Sequence, residues 1–327
     1  MLTPKEIKER EYIPPKNFFL LWMGGAFSLI KLLLTTNPRT LKKLRKIRSD
    51  EKRYRRPKRR YEIPEYKEDM KYCKSNEKYL RPTLYCNPRA PEVIALANKL
   101  GADEKSDYEF AKDAFHFVKE KLTLEMTTFN PVEKTFIRGT GTCYHLITAF
   151  IALCRSAGIK ARYKIFAMNM IQAWYDAIVD VDPLVKKWYD SMGYFMLEGE
   201  GEVYIDGAWK VAHVGPRAER QAAAGIPITK FGEDSLGNWF YEIPGTIMRT
   251  ESIPFLIGGS SRILKILAPG SMERINLSIL KQIKKGNKII KEAGGKKAYD
   301  KQARKKRKLT DTNGIELKNK KQILFED

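Results

Sequence analysis

A chain of 327 residues can bury one sizeable core with appendages, or two small domains. Its formal net charge of +22 exceeds what solubility requires and points to an anionic partner: nucleic acid, acidic lipid or an acidic protein surface. The four cysteines, Cys73, Cys86, Cys143 and Cys154, form no C-x-x-C pair, which argues against a zinc ribbon or a thioredoxin-type site.

Residues 1–16 are polar and of mixed charge, with no cleavable signal peptide evident, so a cytoplasmic location is expected. Residues 18–34 are the most apolar window, from Phe18 and Phe19 to Leu33 and Leu34, interrupted by Gly24-Gly25 and Lys31. A spanning helix needs about 20 apolar residues, so this window is marginal for one. Lys and Arg then crowd the run from Arg39 to Arg60. An apolar segment followed by a polybasic one suits the cytoplasmic face of a membrane, spanning it or lying flat on anionic lipid. The other readings are an apolar segment packed on the protein's own core beside a solvated basic face, and nucleic-acid binding. Tyr54, Tyr61 and Tyr66 near the basic run form no RNA-binding motif, so nucleic acid ranks behind an anionic membrane surface reached through residues 18–60.

Residues 62–90 have little periodicity and read as a connecting segment. Pro91 and Gly101 bracket a helix over 91–100, and the capping box Ser106-Asp107-Tyr108-Glu109 opens one over 106–122. His116 falls on that helix and reads as structural. Residues 123–140 are expected to be a loop. Alternation over Ala161–Met168 predicts a strand, residues 169–193 a helical insertion or lid, and Asp206-Gly207 a two-residue hairpin. Residues 252–268 are apolar but broken by Pro254 and Gly258-Gly259. Ser271 is placed to cap a helix striped by Met272, Ile275, Ile279 and Ile283. The lysines from Lys281 to Lys308 suggest a solvated tail, peripheral to any chemistry. The expected organisation is an N-terminal extension (1–61), a connecting segment (62–90), a core domain (91–245) and a C-terminal helical region with a lysine-rich tail (246–327).

The chemistry gathers at Gly139-Thr140-Gly141-Thr142-Cys143-Tyr144-His145. Thr142 is a good N-cap for an apolar helix running to Gly158, so Cys143 falls in the first turn. Unpaired N–H groups and the positive end of the helix dipole there favour a thiolate, and the same amides can serve an oxyanion. A small residue at a tight loop–helix junction is the plain alternative. Cys154, on roughly the same face but about three turns deeper, reads as a core residue.

Gly139-x-Gly-x-Cys143, the helix ending Ala152-Leu153-Cys154-Arg155-Ser156-Ala157-Gly158, and Glu202-Val203-Tyr204-Ile205-Asp206-Gly207-Ala208-Trp209 together resemble the transglutaminase-like superfamily of papain-type cysteine enzymes. The resemblance covers about residues 88–240. It implies an α+β papain-like core, with the cysteine at the N-terminus of a buried helix packed on an antiparallel sheet. It also implies a Cys-His-Asp triad that cleaves an amide through a thioester. The position expected for histidine falls at Glu198, and that expected for aspartate at His213. Two readings follow. Either His213 serves Cys143 as base with Glu198 orienting it, or the domain has lost catalysis and binds protein or another polyanion. The first implies a cysteine amidase, protease or acyl transferase acting on a peptide or protein amide. No cofactor or metal is implied; some animal members use calcium, but no matching acidic loop is visible.

Overall fold

The computed structural model describes residues 3–11, 16–46, 52–192, 195–233, 240–242 and 246–306. In chain order these give α1 (Pro4–Glu9), α2 (Lys16–Thr35), α3 (Pro38–Arg45), α4 (Pro91–Lys99), α5 (Asp107–Lys121), β1 (Thr123–Leu124), α6 (Val132–Arg138), β2 (Thr140–Gly141) and α7 (Cys143–Ser156). There follow β3 (Ala161–Met170), α8 (Gln172–Trp174) running into a π-turn over Tyr175–Val179, α9 (Pro183–Met192), β4 (Phe195–Ile205) and β5 (Ala208–Ala212). The remainder is α10 (Ala218–Ala223), β6 (Phe240–Glu242), β7 (Met248–Thr250), α11 (Phe255–Leu267), α12 (Pro269–Glu292) and α13 (Lys296–Lys306). The fold is α+β, as the resemblance implies.

The centre is α7, whose residues from Tyr144 to Ser156 are all buried. A helix apolar on every side belongs in a core. Helices α4, α5 and α6 pack around it, and β3 and β4 lie against it. The sheet runs β5-β4-β3-β6, with β7 also pairing β3, and these pairings are all antiparallel. Asp206 (φ 54°) and Gly207 (φ 78°) make the turn between β4 and β5, where a two-residue hairpin needs left-handed backbone. A β-carbon on Gly201 would stand 2.8 Å from the Phe150 ring, so glycine on this face of β4 lets α7 lie close to the sheet.

Glu198, Glu200 and Glu202 alternate with those glycines along β4. Register places them opposite Phe166, Lys164 and Arg162 of β3. Arg162 pairs with Glu202 at 2.6 Å and Lys164 with Glu200 at 3.2 Å, both largely buried. Glu198 faces an aromatic ring position instead of a cation.

Some sequence expectations are corrected. Residues 123–140 are not simply loop: α6 forms between Pro131 and the left-handed Gly139, burying Val132, Thr135 and Phe136, while β1 and β2 pair in parallel. The stretch 252–268, for which the sequence reading offers no element, holds the helix α11, and a β-carbon on Gly258 would meet the Tyr85 hydroxyl at 1.9 Å. Helix α12 starts at Pro269, so Ser271 lies inside it and does not cap it. The lysine-rich segment keeps its lysines in solvent, as expected, while one face of its helix packs on the rest of the fold. Lys281, Lys284, Lys285 and Lys288 are exposed, but Ile279, Gly286 and Ile290 face inward, and Gly286 abuts the Glu219 carbonyl so closely that any β-carbon would clash. Arg307 and Lys308 lie outside the described residues. Part of the basic run is likewise committed to the protein: Arg56 grips buried Glu125 through two nitrogens, and Arg60 binds the carbonyls of Glu120 and Lys121.

Candidate active site

Cys143 opens α7 directly after Thr142, as the local sequence predicts. Gly141 is required because a β-carbon there would lie 2.4 Å from that of His145. His145 folds back under the turn. Its Nδ1 accepts the Thr142 N–H at 3.1 Å, the Asn130 N–H lies 3.1 Å from Nε2, and the ring packs on Phe129. Burial and the nearby Arg138 push its pKa down to about 3, so His145 stays neutral and braces the nucleophile turn. His116 is exposed on α5 and Cys154 is buried in the core.

The Cys143 thiol keeps partial solvent access in a crowded surround. Burial and then Glu198 push its pKa well above the usual thiol range, opposed by the backbone N–H groups of Tyr144 and of Cys143 itself. Those two amides are the helix N-terminal donors expected from the sequence. The Glu198 carboxyl group lies near enough to the thiol for each to act on the other's charge, and its Oε1 accepts the Gly199 N–H at 3.2 Å. Burial lifts its pKa to about 7, held back by the Gly199 amide, the thiol and the positive charge of Arg220. At rest near neutrality the pair is therefore an uncharged thiol beside a carboxyl group that is close to half ionised.

His213 follows β5 and is fully buried, with Nδ1 3.9 Å from Glu200 Oε1. Burial and the cations Lys119, Lys164 and Arg220 push its pKa well below the usual histidine range, so the ring is neutral. Its carbonyl accepts from Lys119 at 3.5 Å, and the same ammonium reaches the Pro216 carbonyl at 2.6 Å. His213 and Glu198 do face one space: a β-carbon on Gly215 would stand 3.7 Å from His213 Nε2 and 3.9 Å from Glu198 Oε1. The structure thus brings Glu198 near Cys143 and turns Glu198 and His213 toward one space, while the register sets His213 beside Glu200.

One residue at the site escaped the sequence reading. Arg220 of α10 is only 2% exposed, stacks on Trp174 at 3.8 Å and donates from Nε to Gln282 Oε1 at 3.0 Å. Its charge bears on both Glu198 and Cys143. Arg220 Nη2 and the neighbouring Tyr144 hydroxyl are buried atoms without a hydrogen-bond partner among the described residues. No local pattern marks Arg220; its place depends on the docking of α10 against α12. Among the described residues no group of three or more His, Cys, Asp or Glu side chains is arranged to hold a metal ion.

Such a site sets a thiol on a helix N-terminus near a half-buried carboxyl group, with a buried cation whose charge favours the ionised forms of both. No curated protein and no solved structure matches the chain. A family model described as the transglutaminase-like superfamily matches residues 94–194, a span that holds Cys143 and α7 and stops short of Glu198 and His213. Residues 94–194 are thus similar to the transglutaminase-like superfamily, and Cys143 stands at the start of the buried helix within that span.

Proposed function

We propose that Cys143 is the nucleophile of an acyl-transfer or hydrolysis reaction on a peptide or protein amide, with Glu198 as its proton acceptor. What supports this reading is a thiol set on the first turn of α7 with the Glu198 carboxyl group near it, facing a space shared with His213. Ionised Glu198 takes the Sγ proton as sulfur attacks the amide carbon, and the carbonyl electrons move to oxygen. The amides of Cys143 and Tyr144 are the nearest donors for that oxyanion. Collapse breaks the C–N bond, protonated Glu198 delivers its proton to the departing amine, and a thioester remains for water or an amine to resolve. His213, neutral beside Glu200, helps hold the strand end that presents Glu198.

A second reading, a domain that binds without turnover, is favoured by the raised pKa of the thiol, which keeps it un-ionised at rest. Acylation separates the two. Full-length protein treated with p-nitrophenyl acetate is expected to gain one acetyl group on Cys143 by mass spectrometry. Glu198→Gln should slow this about a hundredfold, the usual scale of a lost general base. Acetylation at Cys73 alone, or an unchanged rate in Glu198→Gln, would favour the binding domain.

A further inference from the structure

Helix α2 has two apolar faces, and the fold covers one. On the inner side Gly25 is buried and its carbonyl accepts from Trp188 Nε1 at 3.0 Å, while the hydroxyls of Ser28 and Ser191 meet at 2.6 Å; both contacts are with α9. On the outer side Phe19, Met23, Phe27, Ile30 and Leu34 are between 40% and 81% exposed. At 100° per residue these five fall within about 80° of arc, with Leu20 at its margin. An unbroken stripe of large apolar side chains along about 22 Å of helix is more than the surface of a soluble monomer carries without purpose.

What borders the stripe identifies its partner. The chain turns at Thr36-Asn37 into α3, whose Arg39, Lys42 and Lys43 are exposed. Arg45 fixes α3 in place by donating to the carbonyls of Leu267 and Ile266 at the end of α11, and Ile266 is itself 72% exposed. Apolar and basic side chains therefore share one connected surface. Further along, Arg56 and Arg60 are bound to groups of the protein, whereas Arg39, Lys42 and Lys43 directly after the stripe are exposed. A second copy of this chain would bring another +22 and suits that surface poorly. Among the described residues no helix is long and apolar enough to cross a membrane.

We propose that this surface seats the protein on an anionic lipid bilayer, α2 lying in the interface with its outer stripe among the acyl chains and α3 against the headgroups. The proposal does not depend on Cys143 chemistry.

Flotation of the full-length protein with vesicles tests it. The protein is expected to float with phosphatidylcholine vesicles containing about 30% phosphatidylserine, to stay behind with phosphatidylcholine alone, and to detach as salt is raised. Phe27→Glu/Ile30→Glu and Lys42→Glu/Lys43→Glu should each reduce binding at least about tenfold. All four side chains are exposed, so the thermal midpoints of both variants should match the parent. Flotation that survives either double substitution, equal binding to neutral vesicles, or no flotation at all would overturn the proposal. Concentration-dependent dimerisation that Phe27→Glu/Ile30→Glu abolishes, without any flotation, would assign the stripe to a second copy.

Discussion

Glu198 and Glu200 stand two residues apart on one strand, on the same face of the sheet, yet they meet opposite fates. Glu200 is fully buried with Lys164 directly across the ladder and His213 beside it. Glu198 has Phe166 across the ladder and a thiol for a neighbour, and its carboxyl group holds its proton up to about pH 7. A cross-strand cation makes a buried carboxylate a fixed structural charge; taking that cation away makes a carboxyl group that exchanges its proton near neutrality. The difference between scaffold and chemistry here comes down to residue 164 against residue 166.

The largest effect should come from breaking the scaffold member of the pair. Lys164→Met removes the cation facing buried Glu200, and truncating one partner of a buried ion pair costs about 3–5 kcal/mol. Denaturant unfolding at pH 7 should show a loss of that order. A loss below about 1 kcal/mol would mean that Glu200 and Glu198 differ less than their surroundings indicate.

How far this contrast can be read from sequence depends on range. The capping box at Ser106, the N-cap at Thr142 and the Asp206-Gly207 turn are local devices, and each stands where the residues predict it. Helix α6 was hidden because it is short and its start signal, Pro131, reads equally well as a loop residue. Glu198 and His213 are picked out by the resemblance, counted along the strands from the Asp206-Gly207 turn, and Cys143 by its place after Thr142. Their contacts are not, because the register of β3 against β4 includes a shift between Phe166 and Met168 that no short motif announces. Arg220 and Gln282 lie on separate helices whose contact depends on Gly286 approaching the Glu219 backbone.

Glu198→Gln tests the reactive member, and its sign runs the other way. The folded state raises the pKa of Glu198 above its ordinary value, so its contribution favours folding below about pH 4.5 and is lost as pH rises through about 7. Glutamine removes that penalty. The variant should match the parent near pH 4 and exceed it at pH 8, by about 2 kcal/mol after discounting the raw shift for the solvent that Glu198 still meets. A scan of thermal midpoint against pH reads the divergence directly. Parallel curves would show that Glu198 ionises as freely in the folded protein as in the unfolded chain.

The smallest expected effect concerns what keeps Glu198 from rising further. Arg220 favours the ionised forms of both Glu198 and Cys143, and burial has already pulled its own pKa down to about 9. Arg220→Gln should therefore shift the acylation pH profile to higher pH by less than about one unit, or roughly 1 kcal/mol of lost electrostatic support. Arg220→Lys keeps the charge but not the planar stack on Trp174, and should restore most of the midpoint while remaining less stable than the parent. A purely structural arginine would give two variants that lose stability with no movement of the profile. Movement in the glutamine variant and its reversal in the lysine variant would place the charge of α10 in the proton balance of the thiol. In that case α12, which holds Arg220 through Gln282, supports the site from outside residues 94–194.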